Sequence, residues 1–149
     1  MRGVVQRVRR ASVSVEGREP RSIGTGVVLL VGVGRDDGED ASRWLAEKTA
    51  HLRIFPDGEG KLNRSLLEVQ GDALVVSQFT LYGDVRKGRR PSFVEAAAPE
   101  TAERLYLQVA KELESIGVTN VETGTFQTHM VLSLENDGPV TILLESPPR

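Results

Sequence analysis

A chain of 149 residues with 39% hydrophobic and 27% charged residues and a net charge of -2 has the composition of one globular domain, neither disordered nor collagen-like. It has no cysteine, which excludes a disulfide scaffold, a thiolate metal site, an iron–sulfur centre and a cysteine nucleophile; its two histidines, His51 and His129, are too few for a three-histidine metal site from one chain. The near-neutral charge supplies no overall basic field, so any nucleic-acid contact has to come from a local patch.

In chain order, Met1–Arg7 lacks the apolar core of a signal peptide, and the longest apolar run, Val27–Val31, is far short of the roughly 20 residues of a membrane span. A soluble, cytoplasmic protein with no membrane contact is expected. Arg2–Val8 and Ala11–Val15 alternate and are rich in valine, which predicts two strands, with Glu16-Gly17-Arg18 as the following turn. Val27–Val33 is almost wholly apolar and reads as a strand covered on both faces. Asp36–Asp40 offers capping oxygens and negative charge to a helix over about Asp40–His51, whose apolar face takes Ala41, Trp44, Leu45, Lys48 and Leu52.

Arg53–Phe55 is a short strand candidate, Pro56–Gly60 a turn, and Asp72–Phe79 a central strand. Pro99 suits the first turn of a second helix with the apolar stripe Ala102, Leu105, Tyr106, Val109 and Leu113, and Gly117 suits its stop. Val118–Glu122, Met130–Glu135 and Val140–Leu144 read as closing strands. The expected fold is a single mixed α+β domain over residues 1–149: layered, barrel-like β-sheets covered by two helices on one side.

Most catalytic signatures are missing. Gly83–Gly88 has the spacing of a phosphate loop, but Arg89-Arg90 stands where lysine and a hydroxyl residue are needed. There is no Gly-x-Ser-x-Gly elbow, and Glu47 and His51 read as a solvated helical pair. Three features remain. Ser77, Gln78, Phe79 and Thr80 end a buried strand, where hydroxyls and an amide can be held rigidly at a cleft; the plain alternative is a strand that turns polar as it leaves the core. Arg86, Lys87, Arg89 and Arg90 form a local cationic run suited to phosphates, with Phe93 placed to lie beside a base; the alternative is a solvated basic loop. Asn136–Thr141 reads by composition as a hairpin turn between two strands, in which the Gly138-Pro139 bond has the option of being cis.

Together these blocks resemble the D-aminoacyl-tRNA deacylase family of bacterial and eukaryotic type. The similarity starts at Met1–Val8, continues through Leu52–Phe55 and Gly60–Ser65, and includes Ser77–Leu81, Arg86–Phe93 and Asn136–Thr141. Ser-Gln-Phe-Thr and Gly-Pro-Val-Thr are specific as a pair. Departures are small: Gly3 and Leu62 stand where alanine and methionine are common, and a Pro147-Pro148-Arg149 tail follows.

The resemblance implies hydrolysis of the ester joining a D-amino acid to the 3′ adenosine of tRNA, and also of glycine carried by the wrong tRNA. It implies a homodimer in which the cis Gly138-Pro139 motif of one subunit enters the pocket of the other, with aminoacyl-tRNA as partner and no cofactor or metal. The chemistry is compatible. An aminoacyl ester is already activated, and its hydrolysis needs a placed water and donors for the oxyanion. Backbone N–H groups around Gln78–Phe79 and the Thr80 hydroxyl are the candidates. Thr80 as a covalent nucleophile ranks second, because no base is visible to activate it. Steric exclusion by Gly138-Pro139 would select chirality. A non-catalytic tRNA- or RNA-binding module and a small-metabolite esterase or amidase are the alternatives.

Overall fold

A computed structural model of the chain describes residues 1–148. β1 (Arg2–Ser14) pairs antiparallel on one edge with β2 (Arg21–Ile23) and β3 (Gly26–Gly32) in a single continuous register. Sequence patterning predicted two strands over this stretch. The structure joins them, because Arg9 and Arg10 are both exposed at an irregularity where the alternation inverts: Gly3 and Val5 face the helices before it, Ala11 and Val13 the opposite side after it.

α1 (Glu39–His51) follows. Its cap is Gly38, whose carbonyl accepts from Ala41 and Ser42, and no side chain caps it, contrary to the capping expected of Asp36–Asp40. The Asp37 carboxylate is committed instead to the Met1 ammonium at 2.5 Å and the Gly34 N–H at 2.6 Å. The buried face is also turned from the expected one. Ser42, Leu45, Ala46, Thr49 and Ala50 are buried, Ala41, Trp44 and Leu52 only partly, and Lys48 is exposed. Small polar residues can be buried there because Ser42 donates to Leu105 O and Thr49 to Leu45 O.

β4 (Phe55–Pro56) and β5 (Leu62–Arg64) form a small separate hairpin. β6 (Asp72–Ser77) lies parallel to β3, and a 3-10 turn (Phe79–Tyr82) leaves its end. α2 (Pro99–Ile116) buries the five expected apolar residues and stops at Gly117, whose φ of 125° requires glycine and whose N–H returns to Leu113 and Glu114. β7 (Val121–Thr123) lies parallel to β6, and β8 (Val131–Glu145) covers the second edge of β1.

The six-stranded sheet curls so that its strands present alternate faces to two cores. Val27, Leu29, Val31, Ala73 and Val75 pack on the two helices; Val28, Leu74 and Val76 face inward against Val8, Ala11, Val13 and Ile23. This two-sided burial is why the β3 and β6 sequences are continuously apolar. The helices cover one side of a nearly closed barrel, as expected. No helix among the described residues is long and apolar enough to cross a membrane.

Candidate active site at the end of β6

Parallel strands bring their carboxyl ends to one edge, and clefts form there. β3, β6 and β7 are parallel, and Ser77 ends the middle one. Gln78 N–H donates to Val31 O at 2.8 Å, so it is spent on the sheet and cannot serve an oxyanion. The chain then turns back over β3. Gly32 and Gly34 make this possible: a Cβ on Gly32 would stand 2.9 Å from Leu81 Cβ, and one on Gly34 2.7 Å from the Tyr82 hydroxyl. Leu81 N–H closes on Gln78 O and Gly83 N–H on Thr80 O. The N–H groups of Phe79 and Thr80 have no acceptor among the described residues. They are the donors this turn leaves available, one residue later than the sequence places them.

The Thr80 hydroxyl accepts from the Gln78 side-chain amide. An amide N–H offers no basicity, and no carboxylate or imidazole among the described residues bonds to Thr80, so none of them activates it as a nucleophile. Thr80→Ala is therefore expected to keep measurable turnover, within about tenfold of the parent rate as befits a lost positioning bond, with no acyl-enzyme detected by mass spectrometry. A trapped ester on Thr80 would reverse that assignment.

The back of the turn is braced by residues that patterning did not single out as functional. Arg2 stacks on the Tyr82 ring at 4.5 Å and donates to Leu81 O at 3.0 Å, while the Tyr82 hydroxyl donates to Asp37 at 3.4 Å. Burial, reinforced by the Asp37 charge, pushes the Tyr82 hydroxyl up to about 12, so it stays a donor at any assay pH. The only signal for this brace is Asp37 three residues after Gly34, which reads equally well as a helix cap.

The cationic run sits in a loop closed by paired Asp84–Ser92 backbone bonds of 2.8 and 2.9 Å. Arg86 is not free: both its Nε and Nη2 donate to Asp84, whose carboxyl is held down to about 2 chiefly by that side chain. Lys87, Arg89 and Arg90 are exposed and have no partner among the described residues. Phe93 packs edge-on against Phe79 with centroids 4.9 Å apart, which ties the loop to the strand-end turn. Replacing Arg89 and Arg90 with alanine is expected to lower the salt slope of tRNA binding by about 1.4–1.8, whereas Arg86→Ala alone should do less because Asp84 already neutralises it. Filter binding across a salt series checks this.

Asn136–Thr141 is not a hairpin turn. Both sides belong to β8 running in one direction, with residues 137–140 bulging out opposite Arg7. The chain does not reverse because Asn136 closes the bulge with its own amide, accepting from Val140 N–H at 2.7 Å and donating to Val140 O and Thr141 Oγ1 at 3.2 Å. The Gly138-Pro139 bond is cis. Arg7, 8% exposed, donates to Asp137 O at 2.8 Å and Ile54 O at 2.6 Å. Glu47 and His51 pair at the surface, 3.3 Å apart, as expected.

Within one chain the two signature blocks do not meet. Ser77 lies level with Gly3 across β3, and Arg7 is about 13 Å further along β1; with three strand spacings between β6 and β8, Gly138 and Ser77 are about 20 Å apart measured along the sheet.

Residues 4–145 match the family model described as D-Tyr-tRNA(Tyr) deacylase. The chain belongs to that family. The D-aminoacyl-tRNA deacylase of Heliobacterium modesticaldum is 59% identical over 145 residues, covering 97% of this chain and 96% of the relative. That of Thermomicrobium roseum is 60% identical over 146 residues, covering 98% and 94%. Among solved structures, the c-Myc DNA Unwinding Element Binding Protein superposes with a TM-score of 0.92 at 39% identity, over 99% of this chain and 100% of that one. A probable eukaryotic D-amino acid tRNA deacylase shares the fold, with a TM-score of 0.81 at 22% identity over 96% and 97%. Membership in the D-Tyr-tRNA(Tyr) deacylase family makes the chain a hydrolase acting on an ester bond.

Proposed function

We propose that this protein hydrolyses the ester between a D-amino acid, or misplaced glycine, and the 3′ adenosine of tRNA, and that it rejects L-aminoacyl-tRNA. The observation that carries the reading is its kinship over nearly the full chain with D-aminoacyl-tRNA deacylases. The N–H groups of Phe79 and Thr80, on exposed residues and without an acceptor among the described residues, support it. Water adds to the ester carbonyl, the oxyanion forms against those donors, and the bond to the ribose 3′ oxygen breaks as that oxygen takes a proton, assisted by the neighbouring ribose hydroxyl. Lys87, Arg89, Arg90 and, behind Asp84, Arg86 hold tRNA phosphates, with Phe93 beside a base.

Chirality is read by Gly138-Pro139 of a second copy in a homodimer. Three strand spacings separate Gly138 from Ser77 within one chain, which supports a second copy as the source of the motif, and the β8 edge remote from β1 offers a place for it. That edge is unpaired among the described residues over Val131–Glu145 and exposes Val131 at 55% and Leu143 at 77%. Glycine, with no side chain at Cα, passes the same filter.

Matched D- and L-aminoacyl-tRNAs incubated with the purified protein in excess chelator test the reading. Release of D-amino acid at least about 100-fold faster than L, a gap of about 2.7 kcal/mol in barrier, is the expected result. Equal rates, or activity lost to chelator and restored by zinc, would refute it. Light scattering at assay concentration should give twice the chain mass.

A further inference from the structure

Two arginines that this chemistry does not use stand on the other flank of the β6 end. Arg21 opens β2 and Arg18 precedes it in the turn; both are exposed. The curl of the sheet lays this segment over the end of β7. Arg21 Nη1 donates to Thr123 O at 2.7 Å, Thr123 Oγ1 at 3.1 Å and Gly124 O at 3.3 Å. Arg18 Nη1 reaches Thr125 Oγ1 at 3.4 Å. Gly124 in turn touches β6: its N–H donates to Val75 O, and a Cβ on it would lie 3.5 Å from Val76 Cγ1, next to Ser77. The guanidiniums thus stand one strand from Ser77 on the β7 side. The basic loop approaches from the β3 side, where Ala97 N–H donates to Val33 O and Arg35 N–H to Glu95 O.

Most arginines here have a carboxylate partner, but neither Arg18 nor Arg21 has one among the described residues, and Glu16 and Glu19 in the same stretch pair with neither. Backbone carbonyls hold one corner of the Arg21 fork, leaving its Nε and Nη2 hydrogens without an acceptor among the described residues. A fixed guanidinium with a vacant edge is suited to phosphate oxygens, because little side-chain entropy is lost on binding.

We propose that Arg18 and Arg21 bind phosphates of the tRNA acceptor end on the β7 flank, opposite the Arg86–Arg90 loop, so that the strand carrying the ester is gripped from both sides of the β6 end. The proposal rests on the D-aminoacyl-tRNA reading for its substrate. Its test uses Arg18→Ala/Arg21→Ala and Arg18→Lys/Arg21→Lys, with two measurements: the salt dependence of uncharged tRNA binding, and kcat/KM on D-aminoacyl-tRNA against D-aminoacyl-adenosine, which has no phosphate. The alanine pair should lower the binding slope by about 1.4–1.8, and the lysine pair should restore it. The alanine pair should also lose at least about tenfold more kcat/KM on the tRNA ester than on the adenosine ester, chiefly through KM, as expected for phosphate contacts. An unchanged slope, equal losses on both esters, or a lysine pair that fails to restore the slope would overturn the proposal. The binding slope judges the arginines without hydrolysis, whereas a parent protein that releases no D-amino acid would overturn the deacylase reading instead.

Discussion

Gly138→Ala is expected to reduce D-aminoacyl-tRNA hydrolysis at least about 100-fold, equivalent to about 2.7 kcal/mol in barrier. Gly138 has φ of 142°, a conformation L side chains rarely adopt. A methyl group there would stand 2.8 Å from Val140 Cγ2 and 3.1 Å from both Arg7 Nη2 and Val140 N. Val140 cannot retreat freely, because the Asn136 side chain holds its N–H and carbonyl. The backbone must therefore shift, and strain of about 1–3 kcal/mol falls on the residue that faces substrate in the proposed dimer. The rest of β8 is held by its register with β1, so the dimer and the circular dichroism spectrum should persist. A variant with parental turnover and parental D-to-L ratio would show that Gly138 does not line the site.

Arg7→Ala is expected to lower both stability and activity. Arg7 is buried and joins two segments remote in sequence, Ile54 and Asp137, through their carbonyls. Its removal leaves both carbonyls without that donor and frees the bulge that carries Gly138. Two charge-assisted bonds in a buried setting are worth about 3–6 kcal/mol together. The midpoint of urea denaturation should fall accordingly, and the rate on D-substrate should fall further than the folded fraction explains. Arg7→Lys should recover little, since one ammonium on a narrower head does not span two carbonyls as a planar fork does. An Arg7→Ala protein with unaltered midpoint and unaltered D-to-L ratio would remove Arg7 from this role.

How much could be read beforehand divides along physical lines. β3, β6 and α2 were legible because their burial is decided by local composition: a continuous valine–leucine run, or a stripe at helical spacing ended by Gly117. α1 was legible as a helix but not in its facing, because serine and threonine satisfied by carbonyls can be buried where apolar counting puts leucine and tryptophan. The bulge at Asp137–Val140 read as a turn, since Asn-Asp-Gly-Pro suits both. What separates them is whether the flanking segments share one partner, and here both pair with β1. Residue type places Phe93 beside a base, and what it does not show is that part of the ring is taken by Phe79. Arg86 belongs to the cationic run by residue type, but Asp84, two residues before it, holds it.

By itself the sequence determined the class of fold, the absence of any thiol chemistry, and the blocks that carry the family kinship, because each depends on residue type and short spacing alone. Only the tertiary structure decided which donors of the Ser77–Thr80 block remain free, that Met1, Arg2, Asp37 and Tyr82 converge behind it, and that Arg18 and Arg21 stand beside it. It also decided that Gly138 and Ser77 lie three strand spacings apart in the sheet of one chain. Those facts depend on strand order and sheet curl, which bring together residues dozens of positions apart. No local propensity encodes such meetings; they follow from the order β2-β1-β3-β6-β7, with β8 on the second edge of β1, once every strand has found its partner.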